Sequence, residues 1–173
     1  RLVGSEMCIR DSHWGVPLTL ARMPAHMDYG VFELGMNHAG EIAALVSQVR
    51  PHVAVITRVA PVHLENFSSI EAIAEAKAEI FSGLDGGVAI INRDDDVYDR
   101  LLRRAQDTAA HIFSFGETGV EARLISYRRI GDMSEVDAEI LGKRLQYVIG
   151  APGKHIALNS LSALLVAGVF DLD

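Results

Sequence analysis

At 173 residues and 49% apolar side chains, the chain has the length and hydrophobicity of one globular domain with a sizeable core. Its formal net charge of -7 argues against a nucleic-acid binder, since such domains carry clustered basic residues. One cysteine, Cys8, rules out an internal disulfide framework and fits a reducing cytoplasm. No apolar run is long enough to span a bilayer, and the first residues lack a signal-peptide pattern.

Residues Arg1 to Ser12 have no clear period. We expect them to be a non-native prefix fused to a true coding frame, which would leave Cys8 without chemical meaning; an unusual native N-terminus is the alternative. Pro17 to Ala21 reads as a short helix, with proline early enough that its missing donor does no harm, ended by Arg22-Met23-Pro24. Asp28 to Leu34 reads as a first strand, and Gly35 breaks it. Asn37 is placed to cap a helix in which Ile42, Leu45, Val46 and Val49 recur at helical spacing before Pro51. Glu33 then stands at the C-terminal tip of a buried strand in a strand–turn–helix unit, where open α/β sheets put their ligands. A solvated glutamate at a strand end is the alternative.

His52 to Val59 is a β-branched run between two prolines and reads as a buried parallel strand, with Pro61-Val62-His63 beyond its tip. Ser69 to Gly83 reads as a helix capped by Ser68 or Ser69 and ended by Gly83. Its apolar residues Ile70, Ile73, Ile80, Phe81 and Leu84 share one arc, and Lys77 falls in the middle of that arc. Glu71, Glu75 and Glu79 run down the opposite side. Lys77 must therefore either snorkel out to water or be buried for a purpose, as a lysine with a depressed pKa.

Gly87 to Ile91 reads as a third buried strand leading into Asn92-Arg93-Asp94-Asp95-Asp96. A helix over about Asp95 to Ala109 and a fourth strand over His111 to Phe115 follow. Ala122 to Arg129 and Glu135 to Ile149 alternate with period two around a Gly131-Asp132 turn, an antiparallel extension. Lys154 to Phe170 is an apolar helix after a Gly-Ala-Pro-Gly loop. The fold class expected is α/β: a mostly parallel sheet flanked by helices, with a small antiparallel β extension.

Four segments carry a resemblance. Phe32 to Ile42 fits E-x-G-x-N-x-x-G-E-I, and Ala76-Lys77-Ala78-Glu79-Ile80-Phe81 fits A-K-x-E-I-F. Asn92-Arg93-Asp94-Asp95 fits N-x-D-D, and Gly153 to Asn159 fits G-x-H-x-x-x-N. Together with Gly15-Val16-Pro17-Leu18-Thr19-Leu20 they resemble the central domain of the ATP-dependent Mur ligases of bacterial cell-wall synthesis. Within that family they favour the branch that adds D-alanyl-D-alanine to UDP-MurNAc-tripeptide through an acyl phosphate. The resemblance implies ATP and Mg2+ as cofactors, and a cytoplasmic enzyme, monomeric when intact, that neither binds nucleic acid nor enters a membrane.

It implies Glu33, His63 and a carbamylated Lys77 as the catalytic, metal-holding set. Asn159, Asn92 and His155 would lie on the nucleotide side, and Asn37 and His38 would contact substrate. The family has an Asn-Asn pair where Asp11 and Ser12 stand, and often Asn or Thr at Arg58. Its phosphate-binding G-x-x-G-K-[ST] loop does not occur; Gly153-Lys154-His155 comes nearest. By resemblance that loop belongs before Arg1 and a further domain after Asp173, so residues 13–173 are expected to be a partial central domain, inactive alone. A non-catalytic α/β module binding a nucleotide or a partner is the competing class, and a folylpolyglutamate synthase-type ligase a sibling one. A Rossmann dehydrogenase fits poorly, because no G-x-G-x-x-G follows a strand.

Overall fold

The computed structural model describes residues 2–3, 15–61 and 66–172. Most of the expected prefix, Cys8 included, and the candidate His63 lie outside the described residues. The described residues hold five helices: α1 (Gly15–Arg22), α2 (Glu41–Val49), α3 (Ile70–Ala78), α4 (Tyr98–Gln106) and α5 (Lys154–Val169). A 3-10 turn, Glu79–Gly83, continues α3. Two short strands, β1 (Leu2–Val3) and β2 (Tyr29–Gly30), pair in parallel. The main sheet holds β3 (Val53–Ile56), β4 (Val88–Asn92), β5 (His111–Gly116), β6 (Ala122–Ile130), β7 (Met133–Ile140) and β8 (Lys143–Ile149), side by side in chain order.

Pairing is parallel from β3 through β6 and antiparallel from β6 through β8. The parallel strands have apolar residues on both faces, as helix-covered strands must. Ala54, Ile56, Ala89 and Ile91 face one core with Ile73 and Ala74 of α3 and Leu101 and Ala105 of α4. Ile90 and Phe115 face the other, with Ala122, Leu124, Val136, Ala138 and Ile140 of the hairpin strands. The second core is closed by Ala157, Leu161 and Leu165 of α5, four residues apart and fully buried. Each such leucine contributes about 2 kcal/mol through burial. Thus α3 and α5 sit on opposite faces of one sheet, which is the expected α/β layering. No described helix is long and apolar enough to cross a membrane.

Three expectations need correction. The strand over Asp28 to Leu34 narrows to β2, and residues 31–36 run on without a ladder. Among the described residues its ladder is Leu2 opposite Tyr29 and Val3 opposite Gly30. The long strand over Glu135 to Ile149 is two strands joined by Leu141 and Gly142, both at positive φ (49° and 77°). Such a pair makes a tight hairpin turn whose twist matches the strands, at a cost of about 1 kcal/mol for a leucine there. Asn37 does not cap α2. The cap position is Gly40, at φ 88°, and no side chain of its own closes the helix.

Candidate functional site

The C-terminal ends of β3, β4 and β5 are tied together by the turn Asn92-Arg93-Asp94-Asp95. Asn92 is buried, and its amide donates to the Thr57 carbonyl at 2.9 Å while its own oxygen accepts the Asp94 N–H at 2.9 Å. Arg93 N–H reaches the Phe115 carbonyl at 2.8 Å. Asp95 Oδ2 accepts the Val59 N–H at 2.8 Å. Asp94 accepts the Glu117 N–H at 2.6 Å, and the Thr118 N–H and hydroxyl at 3.0 and 2.7 Å. One turn thus fixes the backbone of two neighbouring strand ends, which is where ligands of parallel sheets bind. Asn92, expected on the nucleotide side, has its polar atoms engaged in this fastening.

Lys77 is half-buried in the last turn of α3, between the fully buried Ile73 and Phe81. The Ser69 hydroxyl caps the helix start by accepting the Ala72 N–H at 3.2 Å. Burial pushes the Lys77 pKa below its ordinary 10.5, and the carboxylates of Asp95 and then Glu33 oppose that shift. Asp95, also half-buried, is pushed the other way: burial raises its pKa, against the hydrogen bond from Val59 and the charge of Arg58. The structure therefore brings Glu33, Lys77 and Asp95 into one electrostatic group. A half-buried amine whose pKa is lowered by burial gives up its proton more easily, and the neutral amine is the nucleophilic form.

Glu33 is exposed on the unladdered segment before α2. Asn37 and His38 are exposed on the same loop, held by Glu41: the Asn37 N–H donates to Oε2 at 2.7 Å and His38 Nδ1 meets Oε1 at 3.1 Å. These contacts lower the Glu41 pKa, the Asn37 bond most. Glu79 does not join a solvated row with Glu71. The 3-10 turn winds three residues per turn rather than 3.6, which swings Glu79 toward α2. Glu75 likewise pairs with Arg100 at 2.8 Å and Arg104 at 3.4 Å of α4.

Across the sheet, α5 starts at Gly153, whose φ is 130° and whose missing Cβ leaves room for the His155 ring, 2.6 Å from where that atom would lie. The Gly153 N–H donates to the Tyr127 hydroxyl at 3.0 Å, and Ser134 reaches the Ala151 carbonyl at 2.7 Å. His155 and Asn159 are exposed along the first turns of α5. They are not adjacent to Lys77. The link between the two faces runs through Asp94, the 117–118 loop and a 2.6 Å ion pair from Glu117 to Lys154.

Asp95 is the residue that sequence reasoning missed. Its signal was available, since it follows a strand tip as Glu33 does. Among the described residues no three His, Cys, Asp or Glu side chains converge on a metal-binding geometry. The donor set does fit a hard divalent cation in kind, because Glu33 and Asp95 offer carboxylate oxygens and a carbamylated Lys77 would offer two more.

A family model for the Mur ligase middle domain matches residues 7–167. The UDP-N-acetylmuramoyl-tripeptide--D-alanyl-D-alanine ligase of Escherichia coli (strain K12) is 52% identical over 150 residues, 86% of this chain and 33% of that protein. The enzyme of that name from Rickettsia prowazekii (strain Madrid E) is 35% identical over 166 residues, 94% of this chain and 37% of that protein. A crystal structure of MurF from Acinetobacter baumannii superposes with a TM-score of 0.86 at 29% identity, over 92% of this chain and 35% of that one. The chain spans about a third of the length of these relatives. With the family model covering nearly all of it, and with the Asn92–Asp95 turn at the end of β4 and Lys77 in the last turn of α3, the chain belongs to the Mur ligase family as its middle domain.

Proposed function

We propose that this domain works within an ATP-dependent ligase that joins D-alanyl-D-alanine to UDP-MurNAc-tripeptide. The observation that carries the reading is Lys77, half-buried in the last turn of α3 and within electrostatic reach of Asp95 and Glu33, in a Mur ligase middle domain. The named activity of the 52% identical relative supports the choice of substrates. In this reaction the terminal carboxylate of the tripeptide takes the γ-phosphoryl group of ATP, and ADP leaves. The incoming amine then attacks the acyl carbon, phosphate departs and one proton is released.

The protein's part is positioning and charge placement. Lys77, whose amine burial makes easier to deprotonate, adds to carbon dioxide: its nitrogen bonds the carbon and loses a proton, leaving a carbamate. Glu33, that carbamate and His63 would hold Mg2+, which supplies neutralisation of phosphate charge. Asp95 keeps the Lys77 nitrogen in a polar environment and fixes Val59 in the strand-tip loop. Asn159 and His155, exposed at the head of α5, are the side chains offered to the nucleotide base.

The test is Lys77→Ala in the full-length ligase, assayed for phosphate release and product. We expect kcat to fall by about a hundredfold or more, with partial recovery in formate or acetate, which replace the carbamate oxygens. Undiminished turnover would overturn the assignment.

A further inference from the structure

The Glu79 carboxylate spans two parts of the site. Its Oε1 accepts the Gly40 N–H at 2.6 Å, across 39 residues of sequence, and its Oε2 accepts the Ala43 N–H at 3.1 Å. A helix leaves its first N–H groups without intrahelical partners and with partial positive charge. No residue at the start of α2 supplies a side-chain cap, so Glu79 fills that role from another element. At its other end α2 is clamped to the same 3-10 turn. Val46 Cγ2 lies 2.4 Å from where a Cβ on Gly83 would fall, an approach that only glycine permits. The two elements therefore meet at both ends of the turn, and slippage between them is blocked.

The loop carrying Glu33, Asn37 and His38 enters α2 directly and has no strand ladder over residues 31–36. Its placement relative to Lys77 rests on Leu34 and Met36, which pack into the core, and on what anchors α2. Glu79 lies two residues beyond Lys77 on the continuing turn. We infer that Glu79 is a positioning residue, registering the Glu33–His38 loop against Lys77 by capping α2 from the lysine's own element. The inference rests on the reading of Glu33 and Lys77 as working residues.

The experiment compares E79A, E79Q and S69A in the full-length ligase. Ser69 caps the far end of α3, where its hydroxyl accepts the Ala72 N–H, so S69A serves as the control for lost stability. Amide hydrogen exchange of the ligand-free protein is the first readout. We expect Gly40 and Ala43 to exchange about tenfold faster in E79A, while E79Q, which keeps an acceptor oxygen, recovers part of the protection. The second readout is Mg2+ dependence at a temperature where all variants are folded. We expect E79A to need about tenfold more Mg2+ for half-maximal rate and S69A to match the parent.

If E79A and S69A shift melting temperature alike and neither changes exchange at Gly40 or Mg2+ dependence, Glu79 is only structural and the inference fails. If the exchange effect appears but K77A retains turnover, the positioning is real and the reading of the site fails instead.

Discussion

Asp94 takes both the backbone N–H and the hydroxyl of Thr118 on a single oxygen, Oδ1, while its other oxygen takes the Glu117 N–H. Gly116 makes this possible: at φ 143° it carries no Cβ, and one built there would lie 2.5 Å from Asp94 Oδ2. Asp94→Ala should destabilise the chain by about 2 kcal/mol, seen as a lower urea midpoint at unchanged slope. Gly116→Ala should cost about 2 kcal/mol or more through backbone strain and the clash. In the Asp94→Ala background it should cost less, because the clash is with the carboxylate and only the strain remains. Strict additivity of the two changes would contradict this geometry.

Lys77 places a charge among apolar neighbours, so its removal should separate function from stability. Lys77→Met keeps length and volume without the ammonium. The variant should be as stable as the parent or up to about 1 kcal/mol more stable, while the full-length ligase bearing it loses turnover. A clear loss of stability would mean that the amine's attraction to Asp95 and Glu33 outweighs its burial.

Ser69 closes α3 with one hydrogen bond to the Ala72 N–H. Replacement by alanine should cost about 1 kcal/mol and lower the melting temperature by about 2–4 °C. A calorimetric scan of the single variant suffices, and an unchanged midpoint would show that water satisfies the freed donor.

Tyr147 shares a 2.7 Å hydrogen bond with Ser160, tying edge strand β8 to α5. Burial raises its pKa above the ordinary 10.0. The folded state therefore keeps the phenolic proton where the unfolded chain has lost it, and stability falls as pH rises above 10.0. Tyr147→Phe should be weaker by about 1 kcal/mol below pH 9 and show a shallower alkaline decline. Parallel curves for parent and variant would refute the assignment.

Much of this was legible because local rules and the fold agree. The Ser69 cap, the arc that turns Lys77 inward and the Gly131-Asp132 turn all follow from spacing, and each stands where it was expected. What escaped depended on distant partners. Leu141 is not a turn residue by type, and only the pairing of β7 with β8 forces it to positive φ. Glu79 read as part of a solvated row, because nothing local announces that the helix tightens after Ala78. Asp95 was hidden in an acidic run, where three adjacent aspartates look alike until the Val59 N–H selects one of them.

The order of strands in the main sheet bears on how the chain acquires its shape. β6, β7 and β8 are joined by two-residue turns, so each pairing closes a very small loop. A helix crosses between β3 and β4, and another between β4 and β5, before those neighbours can pair. Loop-closure entropy favours the meander, which can zip in microseconds, while the parallel half must first bring distant segments together. The meander is then the template on which β5 docks and α5 settles. Lys77 on α3 and Asp95 beyond β4 belong to the slower half, so these site residues come together after the meander has formed.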